Sequence, residues 1–173
     1  PTERKPSLRG EARDEAAFIA AMDVICAPVA SKVIADLGVP PFKHLLDVGG
    51  ASGTWTIAWL RAYPKATATL FDLPHVIPKA EERVTGAGVK ERVRLVAGDF
   101  TTDPLPTGAD LAWVSAIVHQ NSREQNRKLF GAVADSLTGG GRILIRDVLM
   151  DDSRTMPVAG ALFAINMLVA TEA

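Results

Sequence analysis

The sequence predicts an α/β fold built on a doubly wound, mostly parallel sheet. Three observations lead to this prediction: short apolar runs alternate with helical patterns, the runs lack polar alternation, and glycines or acidic residues follow them. Strands that are buried on both faces consist of continuous runs of Leu, Val, Ile and Ala. Regular alternation of strands and helices favours a parallel sheet with helices on both faces.

The first 40 residues are predicted to form a helical segment that leads into a main domain at residues 41–173. A helix is predicted over residues 14–37, with a break at Pro28 because proline lacks the N–H that a helix interior uses. Three of its apolar residues recur at helical spacing, which is typical of a stripe facing the core. They are Phe18, Met22 and Ile25.

The main domain is predicted to contain five strands and three further helices. The strands are the apolar runs at residues 44–48, 67–71, 93–97, 111–118 and 142–149. The helices are the periodic segments at residues 54–63, 74–85 and 122–137. Pro74 suits the first turn of the second of these helices. Asn121 and Glu124 have the spacing of a capping box at the start of the third.

Composition and charge disfavour several classes of partner. The chain has 19 basic and 20 acidic residues, so no basic face for nucleic acid is expected. The longest apolar stretch, residues 158–170, is too short to cross a membrane and contains Asn166. Cys26 is the single cysteine, which excludes an internal disulfide and fits a reducing cytoplasm. Its apolar neighbours favour a buried, structural thiol.

The first predicted strand runs into a loop that is suited to binding a ligand. Ligands of such sheets bind beyond the carboxyl ends of the strands. The loop holds Asp47, Gly49 and Gly50 and precedes a helix, and Ser52 can cap that helix. Glycines let a backbone approach a ligand closely, and a helix N-terminus attracts anions. The alternative is a tight turn that binds nothing.

Acidic residues also close the next two strands. Asp72 can accept both hydroxyls of a ribose, although it can equally favour the N-terminus of the following helix. Asp99 can accept from an adenine amino group while Phe100 packs on the ring, although Asp99 can also be an ordinary turn residue. Three such strand ends in succession favour a nucleoside site over coincidence. NAD is the competing nucleotide, but no frame between Val48 and Thr54 matches its G-x-G-x-x-G pattern.

His119 follows the fourth strand and is therefore expected at the same edge of the sheet. A neutral imidazole can accept a proton near pH 7, since its unperturbed pKa is about 6.5. The alternative is a polar residue at a strand exit. Asp147 ends the fifth strand, where it can also pair with Arg146 or Arg142. No His, Cys and carboxylate residues have metal-ligand spacing, so no metal site is predicted.

Three segments resemble class I S-adenosylmethionine (SAM)-dependent methyltransferases, which have a Rossmann-like fold. They are Asp-Val-Gly-Gly-Ala-Ser-Gly at 47–53, Phe-Asp-Leu-Pro-His-Val-Ile at 71–77 and Gly-Asp-Phe at 98–100. Together they resemble the O-methyltransferase family of plant phenolics and bacterial secondary metabolites. The resemblance implies that SAM is bound by the strand-end residues, namely Asp47, Gly49, Gly50, Asp72, Asp99 and Phe100. Ala51 replaces a glycine of the family motif.

The resemblance also implies how a methyl group is transferred to a hydroxyl of a small, aromatic acceptor. His119 corresponds to the general base and Asp147 to the acid that orients it, where the family has Glu. Gln120 replaces the aspartate that follows the base, and Ser115 replaces a lysine near the cofactor. Because of these replacements, the alternative is a non-catalytic module that binds SAM or S-adenosylhomocysteine (SAH).

Two pairs of residues match family helices that enclose the acceptor, although both patterns also occur in ordinary cores. They are Phe18 with Met22, and Asn166 with Met167. The class closes its sheet with two more strands, so the chain is expected to lack its C-terminal part. The full-length protein is expected to be a homodimer.

Overall fold

A computed structural model describes the backbone of residues 12–170 and the side chains of residues 17 and 19–167. Within this part of the chain there are five strands, β1 (His44–Val48), β2 (Thr67–Asp72), β3 (Val93–Ala97), β4 (Ala109–Ser115) and β5 (Leu137–Arg146). The same part contains five α-helices, α1 (Ala12–Leu37), α2 (Thr54–Ala62), α3 (Ile77–Gly86), α4 (Arg123–Ser136) and α5 (Val158–Ala170).

The five strands form one sheet in the order β3-β2-β1-β4-β5. Every neighbouring pair is parallel, which confirms the predicted fold class. The chain moves outward from β1 through β2 to β3 and then returns to the other side of β1. The strand order therefore reverses between β1 and β4, and ligands of open α/β sheets bind at the carboxyl end of such a switch point.

Helices cover both faces of the sheet and bury two apolar clusters. The first cluster joins the sheet to α1, α2 and α3 around Trp59 and Trp113, whose side chains are at most 1% exposed. The second joins the opposite face to α4 through Leu129 and Val133. Among the described residues, no helix has the length and apolar character needed to cross a membrane.

Helix α1 differs from the prediction in two ways. The helix continues through Pro28, because the turns that follow the proline pack against α2. In these turns Ala30 and Ile34 are almost fully buried. Its buried stripe also lies one position away from the predicted one, so that Ile25 is 60% exposed while Cys26 is buried.

Two helix starts are also corrected. Helix α3 begins at Ile77 rather than at Pro74, because residues 74–76 form a turn in which Val76 N–H donates to the Leu73 carbonyl. The capping box of α4 is formed by Ser122 and Gln125, one position after the predicted pair.

Both predicted strand ranges near the site also shift. Strand β4 ends at Ser115 instead of residue 118, because Ala116 takes a left-handed conformation with φ of 58° and residues 118–120 form a 3₁₀ turn. Strand β5 begins at Leu137 and ends at Arg146, so Asp147 comes directly after its last residue.

Candidate active site

The loop after β1 has an alternating left-handed backbone. Gly49, Ala51 and Gly53 have φ angles of 66°, 48° and 82°. The φ of Gly49 favours glycine, and a Cβ atom there would lie 2.6 Å from Ile117 Cδ1, so the Ile117 side chain would have to shift. Ala51 is the departure from the family motif and takes up the conformation that glycine adopts at low cost. Ser52 does not cap α2, whose N-cap is Gly53.

Asp72 ties the glycine loop to the end of β2. Its Oδ2 accepts the Ala51 N–H at 2.7 Å, and its Oδ1 accepts the Leu73 N–H at 2.7 Å. The carboxylate thus has a fixed orientation between two strand ends. Helix α3 starts only at Ile77, so Asp72 does not act as the acid at its first turn.

Asp47 lies beneath the loop rather than on its open side. The residue is 1% exposed, and Thr56 Oγ1 donates to its Oδ2 at 2.6 Å. Burial, and to a lesser extent the negative charge of Asp72, raise the pKa of Asp47 to about 7, against the lowering effect of the hydrogen bonds from Thr56. Asp47 therefore supports the loop from below. Gly50 is also buried, since a Cβ there would lie 2.6 Å from Leu70 Cγ.

Asp99 begins a turn after β3. Its Oδ1 accepts the Thr101 N–H at 2.8 Å and the Thr101 hydroxyl at 2.7 Å. Its other oxygen, Oδ2, has no hydrogen-bond partner among the described residues. Phe100 is half-buried and packs against the second apolar cluster, and its ring would lie 3.9 Å from a Cβ atom on Gly49. Asp99, Phe100 and the glycine loop therefore meet at one edge.

His119 and Asp147 form a hydrogen-bonded pair at that same edge. His119 Nδ1 lies 2.7 Å from Asp147 Oδ1, and the His119 backbone N–H donates to Asp147 Oδ2 at 3.2 Å. The side chains are 19% and 8% exposed. Asp147 thus binds His119, and it forms no ion pair with Arg146 or Arg142. Asp147 therefore reaches the His119 ring although its side chain is shorter than the Glu of the family.

The environment of the pair keeps Asp147 ionised. Burial by itself raises the pKa of this carboxyl group, but the hydrogen bonds from His119 and from the Val148 N–H lower it, and the net pKa lies below the ordinary value. An ionised Asp147 accepts the proton on Nδ1, which leaves Nε2 as the acceptor nitrogen of a neutral ring. Nε2 has no hydrogen-bond partner within the described part of the chain.

Comparison with known proteins identifies the family. A family model of the O-methyltransferase domain matches residues 7–173. The chain belongs to this family. The naphthoate methyltransferase of Streptomyces sahachiroi, named 3-hydroxy-5-methyl-1-naphthoate 3-O-methyltransferase, is 39% identical over 142 residues, which are 82% of this chain and 41% of that protein.

Two solved structures extend the comparison. Human N-acetylserotonin methyltransferase in complex with SAM has a TM-score of 0.85 at 27% identity, over 95% of this chain and 47% of that one. An O-methyltransferase family 2 protein of Planctomyces limnophilus in complex with apigenin has a TM-score of 0.83 at 32% identity, over 98% and 53%. The family is SAM-dependent. The chain spans about half the length of these relatives.

The residues predicted to enclose the acceptor are only partly brought together. Met22 is half-buried on α1, while the side chain of Phe18 lies outside the described residues. On α5, Met167 is 7% exposed and Asn166 is exposed. Phe163 of α5 contacts the His119–Asp147 pair, and its ring meets His119 edge-on at 4.8 Å between centroids. Phe163 lies one helical turn before Met167, which is the sequence signal for it.

An open, largely apolar cavity of about 500 Å³ adjoins the pair. It runs along β5 towards α1, and its lining includes His119, Asp147, Arg146, Trp113, Leu144 and Val33. Over the described side chains, no group of three or more His, Cys, Asp and Glu residues has the arrangement of a metal site. An apolar cavity with a histidine at its edge suits an aromatic ligand that carries a hydroxyl group.

A further charged side chain that the sequence does not single out lies at this edge. The Arg146 guanidinium stacks over the ring of Trp55 at 4.9 Å, and its Nη1 lies 3.3 Å from Ser115 Oγ. Trp55 is in the first turn of α2, directly after the glycine loop. The signal in the sequence is the basic residue immediately before Asp147, at the end of β5.

Proposed function

We propose that this protein is a SAM-dependent O-methyltransferase that acts on a hydroxyl group of a small aromatic molecule, with His119 as the general base. The observation that carries the proposal is the hydrogen bond of 2.7 Å between His119 and Asp147, at the sheet edge where the glycine loop, Asp72 and Asp99 converge. Asp147 fixes the Nδ1 side of the ring, which leaves Nε2 as the nitrogen that can accept a proton.

The residues at the edge fit SAM. A carboxylate at the end of β2 suits the ribose hydroxyls, and Asp99 has a carboxylate oxygen available to an adenine amino group, next to the ring of Phe100. Gly49 keeps the loop backbone clear of side chain on the same side. When bound, SAM would supply a methyl group on a sulfonium, which makes that group electrophilic. Asp47 and Gly50 support this surface from within the core.

His119 would take the proton of the acceptor. A phenolic hydroxyl has a pKa near 10, so little of it is ionised at neutral pH. Nε2 of His119 would receive this proton as the oxygen attacks, and Asp147 would stabilise the resulting imidazolium through Nδ1. A well-placed general base accelerates such a reaction by roughly 10²–10⁴-fold.

The acceptor is proposed from the cavity and from the relatives. The cavity wall beside His119 is largely apolar, and the Phe163 ring, which is not part of that wall, contacts His119 edge-on. The Streptomyces relative is named for a hydroxynaphthoate, and the Planctomyces structure contains apigenin. A flat, hydroxylated aromatic molecule is therefore the proposed class.

Transfer of labelled methyl from SAM to a panel of phenols and hydroxynaphthoates, combined with calorimetry of SAH, tests the proposal. We expect methylation of at least one acceptor and binding of SAH by the purified protein. Asp72→Ala should weaken the binding of SAH by about 1.5–3 kcal/mol, which is the contribution expected of hydrogen bonds to a charged group. Asp72→Asn is the matched control, since it keeps one oxygen for the Ala51 N–H. Binding of SAH without transfer to any acceptor would identify a non-catalytic module instead.

A further inference from the structure

Arg146 places a partly buried positive charge at the carboxyl edge of the sheet. One face of its guanidinium is covered by Trp55, which is 7% exposed, at a distance typical of a cation–π contact. Its only hydrogen bond in the described part of the chain is the one to Ser115 Oγ at 3.3 Å. No carboxylate with a described side chain forms an ion pair with it. The charge is thus held by neutral groups alone.

This arrangement leaves most of the binding capacity of the side chain unused. A guanidinium carries five N–H donors in a planar fork that matches a carboxylate with two parallel hydrogen bonds. The contact with Trp55 restricts the side chain, so less side-chain entropy remains to be lost when a ligand binds. Arg142, four residues earlier in the same strand, differs, because it reaches the Pro40 carbonyl away from the site.

The position of Arg146 connects it to the ligands of the site. It is paired with Ser115 across β4 and β5, and it lines the same cavity as His119 and Asp147. Its stacking partner Trp55 follows the glycine loop by two residues. Arg146 thus contacts Trp55 at the start of α2 and also lines the cavity beside His119.

We infer that Arg146 binds a carboxylate of a ligand in this site. The inference rests on the proposed function, which offers two carboxylates: the one on the methionine part of SAM, and one on an acidic acceptor such as a hydroxynaphthoate. Arg146 would then be a binding residue that recognises an acid group, with Ser115 and Trp55 holding its orientation.

Two pairs of ligands, each differing by the loss of the acid-bearing part, test the inference. The first pair is SAH and 5′-methylthioadenosine, which lacks the amino-acid part, measured by calorimetry. The second is a hydroxynaphthoate and the corresponding naphthol, compared by KM. Arg146→Met should raise the Kd or KM of the carboxylate-bearing member of a pair by roughly 10-fold or more. The value for the member without the carboxylate should stay within about twofold. Arg142→Met is the control and should change neither pair.

The outcomes distinguish the carboxylate of the cofactor from that of the acceptor, and the role of Arg146 from the proposed function. A loss confined to SAH assigns the carboxylate of the cofactor, and a loss confined to the hydroxynaphthoate assigns that of the acceptor. Equal losses within both pairs, or no loss in either, would overturn the inference while leaving the proposed function standing. If the wild-type protein bound no SAH and methylated nothing, both proposals would fail. Arg146→Gln is a second uncharged variant, should Arg146→Met not fold.

Discussion

At the amino edge of the sheet, charged side chains bind backbone groups of their own chain. Asp110 accepts the N–H groups of Lys43 and His44 at 2.8–3.0 Å, and Arg92 donates to four carbonyls around the end of α2. At the carboxyl edge, Arg146 makes a single hydrogen bond and the His119 ring is bound at Nδ1. Asp72 and Asp147 also accept backbone N–H groups at the carboxyl edge. Arg146 and His119, however, retain donors and an acceptor without a partner among the described residues, as expected where a ligand completes the bonding.

The largest expected effect that tests this comparison concerns Asp47. Below pH 3.8 its carboxyl is protonated in both the folded and the unfolded protein. Between pH 3.8 and about 7 the unfolded chain ionises and the folded protein does not, so the free energy of unfolding falls as the pH rises. The loss amounts to up to roughly 4 kcal/mol, at about 1.4 kcal/mol per pKa unit. Asp47→Asn should therefore raise stability at pH 8 and remove this pH dependence in urea unfolding.

Asp110→Asn provides the opposite case at the amino edge. This substitution weakens the acceptor of two backbone N–H groups, so it should lower stability at pH 8. If both substitutions changed the free energy of unfolding in the same direction, the contrast between the two carboxylates would be wrong.

The next effect concerns Arg92, which should contribute to stability alone. Arg92→Ala leaves the carbonyls of Leu60, Tyr63, Pro64 and Ala66 without this donor, and each hydrogen bond to a charged group contributes about 1.5–3 kcal/mol. Because the bonds share one guanidinium, we expect a total loss of roughly 3 kcal/mol in urea unfolding. The affinity of the folded variant for SAH should not change. A weakened SAH affinity at full folding would contradict the separation of the two edges.

The sequence predicted the sheet better than the site because strands depend on local pattern and the site depends on contacts. The bounds of β1 and β3 were predicted to the residue, since their apolar runs are flanked by clear turn signals. The capping box of α4 was misplaced by one position because two overlapping pairs of residues fit the pattern. Asn121 instead donates from its side chain to Asn126.

Contacts between distant segments were beyond the sequence. The identity of His119 as a candidate base was predicted, but its contact with Phe163 depends on how α5 packs, and the Arg146 stack on Trp55 depends on the register of β4 and β5. That Asp47 lies under the glycine loop likewise follows from the packing of Thr56 on α2.

The smallest expected effect concerns Ala51. An alanine with φ of 48° is strained by roughly 1–2 kcal/mol relative to glycine, which is partly offset by the greater freedom of glycine in the unfolded chain. Ala51→Gly should therefore stabilise the protein by about 0.5–1 kcal/mol in urea unfolding. Gly49→Ala is the matched control and should destabilise it, since its Cβ would meet Ile117. A loss of stability in Ala51→Gly would show that its left-handed backbone is not strained.

The most direct test of the account is the turnover number of His119→Ala on the best acceptor of the panel, with SAH affinity measured on the same sample. If His119 is the base, kcat should fall by roughly 10²–10⁴-fold while the Kd of SAH stays within about twofold. A structural histidine would instead lower the folded fraction and leave the turnover of each folded molecule intact. Retention of more than about a tenth of the wild-type kcat would contradict the general-base assignment, because a loss of less than about tenfold is smaller than the usual effect of removing a general base.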